Sequence, residues 1–178
     1  MSLARTQIIP TGIERQFGDD EIIVSKTDLQ GRITYANDVF IRVSGYEEAD
    51  LIGAPHSRIR HPEMPRAVFK LLWDTLAAGE EIFAYVNNMA ATGDHYWVLA
   101  HVTPSFGADG SVIGYHSNRR VPEPDSLARI KPLYAALLAT ERRHADRRDG
   151  LVASVAQLEG ILAQAGMRYS EWIWTFQP

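Results

Sequence analysis

The chain has no cysteine, which excludes disulfides, thiolate metal sites and cysteine nucleophiles together. It also lacks a long apolar run. The longest, residues 133–139, has seven residues against the ~18 that a membrane span needs, so no membrane insertion is expected. No signal-peptide core follows the amino terminus, and a cytoplasmic location is the default expectation. Charge of one sign is not in great excess: 18 basic against 22 acidic side chains leave a net charge of −4, which gives no general attraction to nucleic acid. The one basic cluster, Arg142, Arg143, Arg147 and Arg148, is interleaved with Glu141, Asp146 and Asp149 and reads as a solvated helix face, so no nucleic-acid partner is expected. A His-Glu-x-x-His motif, a nucleophile elbow and a glycine-rich phosphate loop are also missing, and with them any sign of an enzyme.

What is present suits a globular protein. Its 178 residues are 46% hydrophobic and 22% charged, enough to bury roughly 70% of the unfolded surface. Residues 21–27 and 32–36 read as a hairpin across the turn Asp28-Leu29-Gln30-Gly31. Asn37-Asp38 caps a helix that Ser44-Gly45 ends, and short turns are predicted over 47–52 and 55–59. Pro65 opens a helix in which Val68, Phe69, Leu72, Trp73 and Leu76 share one face. Three further strands are predicted over 82–90, 95–103 and 112–120. The expected product is an α+β domain over 21–121, a five-stranded antiparallel sheet with helices on one face. An N-terminal cap over 1–20 precedes it and a C-terminal helical segment over 122–178 follows it.

In that last segment a helix is predicted over 126–148, a break at Asp149-Gly150, and a second helix in which Leu151, Val155, Leu158, Leu162, Ala165 and Tyr169 form a seam. Such a seam pairs either within the chain or across a homodimer, and the homodimer is the expectation. Trp172, Trp174 and Phe176 make the end of the chain too aromatic to stay in water, so it is expected to dock.

Three motif blocks stand at a characteristic spacing: residues 28–46 with Tyr35-Ala36-Asn37-Asp38 and Ser44-Gly45-Tyr46, then Arg60-His61-Pro62-Glu63-Met64-Pro65, then Gly93-Asp94-His95-Tyr96-Trp97. From about Glu21 to Arg120 the chain resembles the PAS domains of bacterial aerotaxis receptors. That resemblance implies the PAS fold, an FAD cofactor and redox sensing. It places Arg60 and His61, with Glu63 beside them, in the FAD-binding region. A guanidinium fork suits pyrophosphate oxygens and an imidazole adds a donor. The same residue types are also explained by an Arg60 surface ion pair and by the extended backbone that Pro62 imposes on His61.

Trp73 either stacks near an isoalloxazine ring or is a core tryptophan. Asn37 belongs with the candidates, although capping already explains it. If Val86, Asn88 and Ala90 share a face with Val98, Ala100 and Val102 and with Val112, Gly114, His116 and Asn118, then Asn88 and His116 can hydrogen-bond a flat ring. In LOV domains, the more distant flavin-binding relatives, an Asn and a Gln resemble these two positions. The cysteine adduct of those photosensors is excluded here. Asn88 and His116 can equally be an edge residue and a satisfied core histidine.

Against the aerotaxis pattern, Gly79-Glu80-Glu81-Ile82 replaces Gly-Glu-Pro-Trp, and Glu63 stands for an Asp. The expectation is a redox- or oxygen-linked sensor that binds FAD and signals through its C-terminal helices to a partner protein. The alternatives are a haem sensor, with His61, His101 or His116 as axial ligand, and a cofactor-free PAS module acting in dimerisation or as an adaptor.

Overall fold

The computed structural model describes residues 8–177. Its five strands, β1 (Ile23–Thr27), β2 (Ile33–Ala36), β3 (Ile82–Met89), β4 (His95–Phe106) and β5 (Val112–Arg120), pair antiparallel in the order β2-β1-β5-β4-β3. Between β2 and β3 lie α1 (Asp38–Ser44), α2 (Glu48–Leu51), a 3-10 turn (His56–Ile59) and α3 (Arg66–Ala77). These helices cover one face of the sheet, called inner below. Ile23, Ile33, Phe40, Leu51, Ile59 and Val68 fill the core there, each at most 3% exposed.

Asn37 sets the corner between sheet and helices. Its Oδ1 accepts from the backbone N–H of Phe40 and of Val24, both at 3.0 Å. Its Nδ2 donates to the Ile22 carbonyl at 2.8 Å. One side chain thus caps α1 and ties it to β1.

The β4–β5 ladder contains a bulge. Phe106 faces Val112, but the next pair is Ser105 with Gly114, so Ile113 is an extra residue. An inserted residue reverses which side chains face inward beyond it. Tyr115, Ser117 and Arg119 therefore face the helices, and His116 does not.

Residues 8–17 run along the β3–β4 turn. Thr11 N–H donates to Gly93 O and His95 N–H to Ile13 O, each at 2.9 Å, and the Arg15 guanidinium pairs with Asp94 at 3.0 Å. Gly93 has φ +93°, and a Cβ there would lie 2.1 Å from the Ile9 carbonyl oxygen, so only glycine fits. Residues 1–7, the start of the expected N-terminal cap, lie outside the described residues.

The tail forms α4 (Pro124–Arg142), α5 (Arg147–Ala165), α6 (Tyr169–Trp172) and a closing 3-10 turn (Ile173–Phe176). The break falls earlier than expected, because the Asp146 side chain caps α5 through the N–H groups of Arg148 and Asp149. Gly150 lies inside α5, where a Cβ would stand 2.5 Å from the Glu141 carbonyl oxygen. It lets α5 approach the α4 backbone closely and is not a stop.

The tail covers part of the sheet's second, outer face, at β3 and β4. Tyr134 donates its hydroxyl to Tyr85 O at 2.8 Å, Tyr169 to Phe83 O at 3.0 Å, and the Gln177 amide to the Tyr85 hydroxyl at 2.8 Å. Trp172, Ile173 and Phe176 are buried while Trp174 is half-exposed, so the aromatic end docks as expected. α5 packs on α3 and α4, with Leu158 buried. The seam read as a homodimer contact is thus engaged within the chain and no longer argues for a dimer. Among the described residues no helix is long and apolar enough to cross a membrane.

Candidate functional site

Beneath α3, between it and the inner face of β1, β3, β4 and β5, lies a cavity of about 140 Å³. Val86, Ala100 and Val102 make its floor and Phe69, Leu72 and Leu76 of α3 its roof. Small side chains on the strands leave the space open. The polar groups that reach it are few: Arg60, Asn88, Arg119, His56 and a set of hydroxyls.

Of the residues expected at the site, Arg60, Trp73 and Asn88 meet at this cavity. The Arg60 guanidinium lies 4.1 Å above the Phe69 ring, donates to Met64 O at 3.1 Å, and has no carboxylate partner among the described residues. The surface ion pair considered for it is not formed. Trp73 stands at the mouth, 40% exposed, held edge-on against Tyr115 at 5.5 Å. Its exposure at the lip distinguishes it from a core tryptophan. Asn88 is buried and its Nδ2 has no partner, a cost of about 1–3 kcal/mol unless a ligand or water accepts from it.

The other expected residues lie elsewhere. Arg60 bridges to Asn88 and His61 N–H donates to Asn87 O at 3.3 Å, so residues 60 and 61 extend the edge of β3 as a short strand-like segment. Side chains alternate across such a segment. Arg60 enters the inner cavity, while His61 and Glu63 open onto an outer cleft beside α4. His116 faces outward because of the bulge at Ile113. Asn37 is spent on the backbone and does not line the cavity.

The haem candidates do not converge there either. His101 follows the outward phase of β4, where it stacks on Phe83 at 4.0 Å and pairs with Glu81 at 2.7 Å. His61 and His116 also miss the cavity. Among the described residues no cluster of three His, Cys, Asp or Glu side chains could hold a metal ion.

Arg119 and His56 are functional candidates that the sequence reading missed. Arg119 is 2% exposed, 4.5 Å above the Phe40 ring. It donates to Ser25 Oγ and, at 3.5 Å, to His56 Nε2, and its Nε has no partner. Burial lowers its guanidinium to about 10, which still leaves it charged at neutral pH. Burial, with the Arg119 charge second, lowers the His56 imidazole to about 3. His56 is therefore a neutral acceptor, facing Arg119 and the Ser25 hydroxyl at 3.2 Å. Two guanidinium groups thus line a mostly apolar cavity whose walls carry no carboxylate. Arg119 faces inward because of the bulge, which no sequence signal marks. Once Ile113 is set aside, the alternation of β5 turns an arginine inward.

Residues 33–119 match the family model described as the PAS fold. The aerotaxis receptor of Escherichia coli is 46% identical over 121 residues, 68% of this chain and 24% of the receptor. The chain carries a PAS domain. A nitrogen fixation regulatory protein of Klebsiella pneumoniae is 29% identical over 99 residues, 56% of this chain and 20% of that protein. The chain spans about a quarter or less of the length of these curated relatives. Among solved structures, a light-oxygen-voltage domain studied with a flavin analogue superposes at TM-score 0.56 and 20% identity, covering 62% of this chain and 84% of that one. The dark structure of the Aureochrome1 LOV domain gives 0.53 and 24%, covering 68% and 84%. At such identities these neighbours speak for the PAS fold alone.

Proposed function

We propose that this PAS domain holds FAD in the inner cavity and serves as a cytoplasmic redox- or oxygen-linked sensor, not an enzyme, whose state reaches a signalling partner through the tail. The observation that carries this reading is the pair of guanidinium groups, Arg60 and Arg119, facing a cavity with no carboxylate. Arg119 is buried with no carboxylate beside it, which is costly, and an anionic or electron-rich ligand offsets that cost. The residues fit a flavin: an apolar floor for a flat ring, an unpartnered Asn88 amide for a ring oxygen or nitrogen, Trp73 at the lip, and Arg60 where a phosphate can meet it. The curated relatives, an aerotaxis receptor above all, favour the same function.

FAD, when bound, supplies a redox centre whose reduction changes the charge and protonation of its ring. Arg119 holds a fixed positive charge beside that space, and neutral His56 orients it. The roof helix α3 gives the cavity a path to the tail. At its first turn the buried carboxylate of Glu141, from α4, accepts from Ala67 N–H at 3.1 Å, from Arg66 Nε at 2.9 Å and from Ser154 Oγ of α5 at 2.9 Å. A ligand that binds two positions of α3 with different affinity therefore biases the tail by that difference.

The test is chemical. Protein purified without added cofactor, or reconstituted with it, should release FAD on denaturation, identified by chromatography. A Soret band, release of FMN instead, or failure to take up FAD would defeat the proposal.

A further inference from the structure

On the far side of β3 from the cavity is a larger, open cleft of about 980 Å³ between the sheet, residues 10–12 and α4. Its walls carry three cations, Lys131, Arg142 and Arg143, against one lining carboxylate, Glu63. The Glu14 carboxylate reaches Lys131 at 3.8 Å and His95 at 3.9 Å, so the uncompensated charge is that of the two arginines. Arg142 and Arg143 form no ion pair among the described residues. Two imidazoles meet there, His61 and His95, with ring centroids 5.7 Å apart. His61 is 4% exposed and its Nδ1 accepts from the Glu63 N–H at 3.2 Å, which leaves the ring proton on Nε2 as a free donor. Asn87 is 5% exposed, lines the cleft, and its Oδ1 has no partner.

A solvated basic helix face explains Arg142 and Arg143 alone, but not a buried imidazole and a buried unpartnered amide oxygen opposite them. The excess of cations and the imidazole donor call for an anion. The orphaned Asn87 Oδ1 calls for a donor on the same molecule. We propose that this cleft is a second ligand site, taking a small organic anion, a carboxylate or a phosphate ester, that also carries a hydroxyl.

The site is separate from the inner cavity. The Arg60–Asn88 bridge and the His61–Asn87 hydrogen bond form a continuous backbone wall between them. Its occupant touches the sheet through Asn87 and α4 through Lys131 and Arg142, so it fastens the tail to the sensory sheet and gives the protein a second input.

The full chain is titrated with citrate and, separately, with glycerol 3-phosphate, against sodium chloride at matched ionic strength. Binding is followed by calorimetry and by the imidazole NMR signals of His61 and His95. Saturable binding of either ligand, with shifts at those two rings, is expected. Citrate alone identifies a carboxylate ligand, glycerol 3-phosphate alone a phosphate ester, and both the shared chemistry. Arg142→Ala/Arg143→Ala, at exposed positions, should weaken binding about tenfold or more. Asn87→Asp, which puts a like charge against the anion, should weaken it too. The proposal falls if neither ligand saturates, if chloride gives the same response, if both variants bind as the parent does, or if the ligands compete with FAD.

Discussion

On the inner face of β3 stand Ala84, Val86 and Asn88, and on its outer face Phe83, Tyr85 and Asn87. The inner set is small and leaves a cavity under α3. Two of the outer set are aromatic, and the tail fills the space over them, with Phe83 against Trp174 at 4.6 Å and Tyr85 against Phe176 at 6.3 Å, while Asn87 lines the open cleft. The same alternation divides the Arg60-His61 pair. One strand edge, read with a period of two, thus gives a side that faces the inner cavity and a side that faces the tail. Residues adjacent in sequence report on different functions.

Removing the tail is the harshest way to test the outer face. Deleting residues 124–178 exposes Tyr85 and Trp97 and strips Tyr134, Leu137, Trp172, Ile173 and Phe176 from the core. Each contributes about 1.5–3 kcal/mol when buried, and the sum approaches the whole stability of a domain. The truncated chain should be insoluble or unfolded by circular dichroism. A soluble, FAD-binding 1–123 fragment would show that the outer face does not need its cover.

Glu141→Ala comes next. It leaves Arg66 and the first turn of α3 without their acceptor and should cost about 3–5 kcal/mol, read as a lowered denaturation midpoint. An unchanged midpoint would remove Glu141 as the joint between roof and tail.

Arg119→Met separates stability from function on the inner face. A guanidinium lowered from 12.5 to about 10 is destabilised in the fold by about 3 kcal/mol at neutral pH, partly repaid by Ser25 and Phe40. The variant should be as stable as the parent or more so without cofactor, yet bind FAD more weakly. Loss of both together would mean that Arg119 is structural.

His56 sets the smallest effect. In the unfolded chain it takes a proton below about pH 6.5, and in the fold only near 3. The unfolded state therefore binds more protons, and stability should fall as pH drops below 6.5. At pH 5 the loss is at most about 2 kcal/mol, an upper bound because solvent reaches part of the residue. His61 and His116, also lowered by burial, act in the same direction. His56→Gln should flatten the curve of denaturation midpoint against pH, and an equal slope in both proteins would contradict the assignment.

The sequence carried most of the fold, because strand alternation, the Asn37 cap and the Pro65 start are local signals. Arg60, Trp73 and Asn88, candidates from the sequence, do line one cavity. His116 was misplaced because alternation was counted from Val112 through Ile113, and nothing in residues 112–120 marks Ile113 as extra. His61 and Glu63 were misplaced because a segment between helices gains a strand's alternation only by pairing with the edge of β3, a tertiary event. Arg119 stayed hidden for the same reason as His116. The apolar seam of α5 was legible, but its partner was not, since packing on α3 depends on the Glu141 carboxylate joining Arg66 and Ala67 of α3 to Ser154 of α5, a contact distant in sequence.

FAD affinity in two variants decides whether the inner face alone is the cofactor side. Arg60→Ala removes a charge-assisted contact worth about 1.5–3 kcal/mol and should weaken FAD binding roughly tenfold to over a hundredfold. Arg142→Ala/Arg143→Ala, on the outer cleft, should leave it within about twofold, since exposed charges beyond a backbone wall are well screened. If the outer pair weakens FAD as much as Arg60→Ala, or if Arg60→Ala binds FAD as the parent does, the division of the two faces is wrong.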